Sequence, residues 1–131
     1  DDQGKAILAG YSGKWIPDVP FRRKSVMKLF KGWQSASNSS PVEGVLTALR
    51  KYKKRGHTIA IYVFGDDYTG GSYDSVIADI TKKNRVQKDG KRLAKIHAVG
   101  FPSQYTTDRF AILMRELTKQ NDGTFIALPI R

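Results

Sequence analysis

The chain has 131 residues, 40% of them hydrophobic, which is enough for one domain with a buried core. Lys and Arg number 23 against 12 acidic residues, a net charge of +11 that draws nucleic acid and other anionic surfaces without specificity. Zero cysteines exclude disulfides and thiolate metal sites, and no apolar run approaches the roughly 20 residues that a membrane-crossing helix needs.

Neither a membrane span nor a leader is expected, and the start at Asp1 rather than Met reads as a processed or cut chain. Four strands and four helices are predicted in the order β, α, α, β, α, β, α, β, within a single domain spanning 1–131. Lys5 to Tyr11 is the first expected strand. After a loop punctuated by Pro17 and Pro20, Val26, Leu29, Phe30 and Trp33 recur at intervals of three and four, so they form one helical stripe directed at the core. Trp33 has a second reading as an aromatic platform.

Gln34 to Ser40 is small and polar, a loop by composition. Ser40 then stands as a helix cap, with Pro41 at the first helical position and Glu43 placed to reach back to the cap amide. Val42, Val45, Leu46 and Leu49 make the buried stripe of that helix. Lys51, Lys53, Lys54 and Arg55 crowd its electronegative end before Gly56 stops it.

From Thr58 an apolar run, TIAIYVFG, continues without a polar face until it meets Asp66 and Asp67 and then a glycine-rich turn. A run of that kind predicts an interior parallel strand covered on both sides, and the crevice beyond the carboxyl ends of such strands is where α/β proteins bind ligands. Ser72 is expected to cap a third helix burying Val76, Ile77 and Ile80, and Arg85 to Arg92 is a charged surface excursion. Lys95 to Gly100 is the next strand. Thr106 or Thr107 caps a helix carrying Phe110, Leu113, Met114 and Leu117, and Thr124 to Leu128 is the last strand.

Basic residues fall in separate groups: Arg22 to Lys24, Lys51 to Arg55, Lys82 to Arg85, and Lys88 to Lys95. At helix ends and in loops such cations read as solvated residues, and no recognised nucleic-acid motif accompanies them.

In that order and spacing, AILAGYSG, SASNSSPVEGVLTAL, IYVFGDD, KIHAVGF and FAILMRELTKQNDGTFIAL resemble most of a von Willebrand factor A domain. The resemblance implies an α/β, Rossmann-like three-layer sandwich: a mostly parallel open sheet with helices on both faces and a metal-ion-dependent adhesion site above it. It places the family's metal-binding hydroxyl on Ser40 and its aspartate on Asp66, with Asp67 as the fallback. Ser39, Tyr68 and Thr69 are the implied partner-binding neighbours. The implied function is non-enzymatic binding of a protein ligand, with Mg²⁺ held weakly or not at all by this chain alone. A basic nucleic-acid-binding α/β domain is the alternative.

One departure shapes these expectations. The family opens with a strand ending in D-x-S-x-S, central in its sheet, and this chain contains no such segment: in GYSGKW, Gly10 would replace the carboxylate and Lys14 the second hydroxyl. Loss of a central strand leaves its neighbours with unpaired backbone groups, each costing on the order of 1–3 kcal/mol if buried. A companion polypeptide is the favoured substitute; an exchanged element of another copy or rearranged pairing are the others.

On the residues alone, Asp66 also reads as a carboxylate capping its turn, and Ser40 as a simple helix cap. An enzyme reading places phosphate against Gly70, Gly71 and Ser72, yet the Walker lysine pattern is missing and no nucleophile pairs by spacing with His57 or His97. His57 is expected to be exposed, and His97 packed or hydrogen-bonded within its strand.

Overall fold

A computed structural model describes residues 7–32, 40–54 and 56–129. Helix α1 is Pro20–Lys31, α2 is Pro41–Tyr52, strand β1 is Ile59–Gly65, α3 is Tyr73–Lys83, β2 is Ala94–Gly100, α4 is Arg109–Gln120 and β3 is Phe125–Ala127. The three strands form one parallel open sheet in the order β1, β2, β3, with Ile59 opposite Ala94 and Ala98 opposite Phe125. The mixed α/β class and the parallel open sheet are as expected.

Each helix forms where the apolar spacing demands it. In α2, Ser40 accepts a hydrogen bond from the Glu43 amide at 3.4 Å, Pro41 opens the helix, and Val45 and Leu49 are buried. Ile77 and Ile80 are buried on α3, and Phe110, Leu113, Met114 and Leu117 on α4. These side chains join Ile59, Val63, Ala94, Ile96 and Ala98 in one core. The strand order explains the layout: β1 to β2 and β2 to β3 step the same way across the sheet, so right-handed crossovers put α3 and α4 on the same face. Helix α2 contacts β1 and α3 there as well.

A polar network fastens this layer, and the sequence reading missed it. The fully buried Asn84, just after α3, donates to the Ala94 carbonyl at 2.8 Å and to the side chain of Asn121 at 2.9 Å, and accepts from the Ala94 amide at 2.8 Å. Asn121, just after α4, donates in turn to Thr81 at 2.9 Å and to the Leu117 carbonyl at 2.8 Å. Two helix ends and the start of β2 are thereby tied to one another. Gly123 lets the chain return closely over β2, since a Cβ there would lie 1.7 Å from the Ile96 carbonyl oxygen.

Three expectations need correction. The described part of the first expected strand is a bend followed by a 3-10 turn, Ala9–Tyr11, closed by a Tyr11 amide to Leu8 carbonyl bond of 2.9 Å. Small residues and glycine give AILAGYSG little strand propensity. Secondly, α1 has no buried residue: Val26 and Leu29 are half-buried, Phe30 is 55% exposed, and Trp33 lies outside the described residues. Finally, β1 is an edge strand, pairing only with β2 among the described residues. Its apolar run is covered on one face only, where Ile59 and Val63 are buried, while Tyr62 and Phe64 on the other face are 60% and 63% exposed.

Backbone bonding makes that edge specific. The Ile59 amide donates to the Leu93 carbonyl and the Gly65 carbonyl accepts from the Phe101 amide, so odd-numbered residues of β1 bond towards β2. By alternation, the amides and carbonyls of Ala60, Tyr62 and Phe64 point outward from the sheet.

Candidate functional site

Beyond the carboxyl ends of β1 and β2, the 66–72 and 101–108 loops rise side by side at one pole of the sheet. Gly65 is required at the exit of β1, because a Cβ there would come within 2.5 Å of the Phe110 ring. Asp66 follows at the surface, exposed and without a hydrogen-bond or ion-pair partner among the described residues. Asp67 instead turns inward to α4. Its Oδ1 accepts from the Tyr68 amide at 2.7 Å and from the Thr107 hydroxyl. Those bonds, Thr107 first, together with the nearby Arg109 charge, hold the Asp67 carboxyl below the usual carboxylate range.

Arg109, the first residue of α4, clamps the same loop. Its Nε donates to the Tyr68 carbonyl at 2.9 Å and its Nη2 to the Gly70 carbonyl at 2.8 Å. The guanidinium also lies 5.9 Å from the Tyr68 ring centre and 5.6 Å from that of Tyr73, within cation–π range. Tyr68 is only 5% exposed and belongs to the core, so its ring anchors the loop from below and does not face outward. Thr69 is exposed. Across the pole, Tyr105 stands at 88% exposure on the 101–108 loop.

Ser40 shares a depression of about 240 Å³ with Pro41, Val42, Tyr68, Thr69, Gly70 and Val76. The hydroxyl that opens α2 therefore meets the turn that follows the acids, whereas the lining does not include Asp66 or Asp67. At that size the hollow suits a single side chain better than a whole ligand, since ligand pockets run to about 300–1,000 Å³. Ser39 lies outside the described residues.

The helix starts carry smaller differences. Ser72 stands at the N-cap of α3 without a side-chain capping bond, and its carbonyl accepts from the Ser75 hydroxyl at 3.0 Å. At α4 the N-cap residue is Asp108, also without a side-chain bond, while the Thr107 hydroxyl accepts from the Arg109 amide at 3.3 Å. Thr107 thus both supports the helix start and holds Asp67. His57 is exposed; His97 stacks on Tyr62 at 5.0 Å between ring centres and contacts the Thr124 hydroxyl at 3.0 Å through Nδ1.

A hard divalent cation asks for about six oxygen ligands in octahedral array. The described residues do not fit that demand unaided: the Ser40 hydroxyl accepts the Glu43 amide, Asp67 is engaged by Thr107 and Tyr68, and Asp66 remains as one exposed carboxylate. No group of three His, Cys, Asp or Glu side chains with metal-holding geometry occurs among the described residues. Thr107 and Arg109 are the site residues that the sequence reading overlooked. Their roles depend on a contact some forty positions away, and TTDRF by itself signals only a helix start.

No protein-family model and no curated protein sequence matches the chain. Among solved structures it is similar to the conserved hypothetical protein BatB from Bacteroides thetaiotaomicron, with a TM-score of 0.50 and 16% sequence identity over 82% of this chain. The chain spans 62% of that protein's length. At such identity the likeness shows fold alone, and the fold it supports is a Rossmann-like, von Willebrand factor A-like α/β arrangement.

Proposed function

We propose that this chain is a non-enzymatic, adhesion-type interaction module of the von Willebrand factor A kind, binding a protein partner at the carboxyl-terminal edge of its sheet. One observation carries the reading: the 66–72 loop is pinned from within by Arg109, Asp67 and Tyr68, so Asp66 and Thr69 are presented outward on a fixed frame. A surface held in its binding geometry loses little entropy on association. The function therefore divides the acid pair: Asp67 builds the platform and Asp66 meets the partner.

The same reading assigns a second task to the partner or to an exchanged segment. A strand laid along Ala60, Tyr62 and Phe64 satisfies the outward amides and carbonyls of β1 and begins to cover the exposed face. Seven residues without a charge, proline or bulge leave this edge unguarded, which suits a strand that normally has a neighbour. Mg²⁺ enters this scheme only with oxygen ligands from the incoming chain, so the isolated protein is expected to give little or no Mg²⁺ heat by titration calorimetry.

Hydroxyl-radical footprinting of the tagged chain, recovered from its source cells with its bound partner, tests the proposal. Tyr105 reports on the loop pole, and Tyr62 and Phe64 report on the edge. Protection of all three, with partner recovery lost in Asp66→Ala, is the expected result. Reporters as reactive in the complex as in the free chain, or full recovery with Asp66→Ala, would overturn it.

A further inference from the structure

Two basic groups that are separate in the sequence meet at the opposite pole of the sheet. Lys53 and Lys54 follow the end of α2, and Arg85 and Lys88 come from the stretch between α3 and β2; together with Gly56, Val86, Gln87, Asp89 and Leu93 they line one cleft of about 680 Å³. We propose that this cleft binds the phosphate backbone of a nucleic-acid duplex without reading its bases. The site lies a strand's length from the acidic loop pole, roughly 20 Å at about 3.3 Å per residue, and it is independent of the interaction reading above.

The cleft is built, not a chance gathering of side chains on a mobile loop. The 85–93 stretch folds back on itself, with an antiparallel bridge between Val86 and Arg92, a Gln87 amide to Lys91 carbonyl bond of 2.7 Å, and Gly90 at φ +79° in the turn. It is tied to the start of β1 by Gln87 Nε2 donating to the His57 carbonyl at 3.2 Å and by the Thr58 hydroxyl donating to the Arg92 carbonyl at 2.9 Å. This hairpin therefore holds Arg85 and Lys88 against the Lys53–Lys54 side.

The lining selects the ligand. Four cations face one acid, and that acid, Asp89, already accepts from the Lys91 amide at 3.0 Å, while the Gln87 side chain is spent on backbone carbonyls. The side chains left to meet phosphate are the four exposed cations, and each can meet a different phosphate of a long polyanion. The lining has no aromatic side chain on which an unpaired base could stack. A duplex supplies the denser line of charge, at about one per 1.7 Å. Val86 is the sole exposed large apolar side chain in the lining, too little to enter a bilayer.

Fluorescence anisotropy with a labelled random-sequence duplex, across a salt series, tests the assignment. Four phosphate contacts predict a slope of log K against log salt of about −3.6, from −0.9 per contact. Replacing Lys53, Lys54 and Lys88 by Gln should lower affinity at least about tenfold at low salt and reduce the slope to about −0.9. Replacing Lys24, Lys28 and Lys31 of α1 by Gln removes the same net charge and should cost less than about threefold. In the unaltered chain, duplex should also shield Lys53, Lys54 and Lys88 from acetylation, a readout that needs no variant to fold. Equal losses in the two triple variants would overturn the proposal, as would no binding at low salt. Cleft-dependent binding to phosphatidylserine vesicles but not to duplex would overturn it too.

Discussion

The two faces of the sheet come from the same strands and carry similar apolar residues, yet they meet different fates. Ile59, Val63, Ile96 and Ala98 on one face are buried beneath α2, α3 and α4, and the asparagine pair locks that layer. On the other, Tyr62, Phe64 and Ile126 remain exposed, with His97 stacked on Tyr62 and Phe101 on Phe64. A half-solvated sheet normally alternates apolar with polar residues. Along β1 this one does not alternate, whereas β2 does, with Lys95 and His97 on the open side, so it is the β1 part of the uncovered face that is composed as an interior is composed. The contrast teaches that the composition of β1 suits a neighbour which the described residues do not supply.

That contrast can be broken from the covered side. Leu113→Ala, at a site with no exposed surface, should cost about 2–5 kcal/mol in urea unfolding, because the helices around it are already tied down and cannot collapse into the cavity. Asn121→Ala should cost about 1–3 kcal/mol by leaving one N–H of the Asn84 amide, whose other bond goes to the Ala94 carbonyl, without an acceptor in a buried site. A loss below half of that would mean that water reaches the network.

Acid provides a gentler probe of the loop pole. The folded state holds the Asp67 carboxyl below its ordinary value, so between the two values the unfolded chain binds the additional proton. The stability that Asp67 contributes is therefore complete above the ordinary carboxylate range, near pH 4, and fades as pH falls through the lowered value. Melting temperatures followed from about pH 6 to pH 2 should decline less steeply in Asp67→Asn. Unchanged steepness would mean that the Thr107 contact does not form in solution.

The open side should respond least in stability and most in association. Ala60→Lys, placing a charge at an outward position of the edge, should shift unfolding by no more than about 0.5 kcal/mol while preventing a strand from docking there. Loss of stability comparable to that of the Leu113 variant would show that the edge is already covered.

Much of this layout was legible because periodicity and caps are local. Ser40, Pro41 and the Val45–Leu49 spacing fixed the start and buried side of α2, and the four apolar residues of α4 were read one by one. Failures occurred where a local signal needed a distant complement. The unbroken apolar run of β1 reads as burial on two sides, and a run of this kind looks the same in an interior strand and in an edge strand with one open face. Tyr68, adjacent to two acids and a glycine turn, looks like a surface aromatic until Arg109 and Tyr73 close over it. In the same way Asn84 and Asn121 read as helix-ending polar residues, and only the packed helices reveal them as a buried pair.

Hydrogen exchange at the amides of Ala60, Tyr62 and Phe64, measured on the free chain and on its complex, decides whether the β1 edge receives a strand. Fast exchange is expected in the free monomer, and strong protection once the partner is bound. Strong protection in a chain proved monomeric by sedimentation, or no change on complex formation, would contradict it.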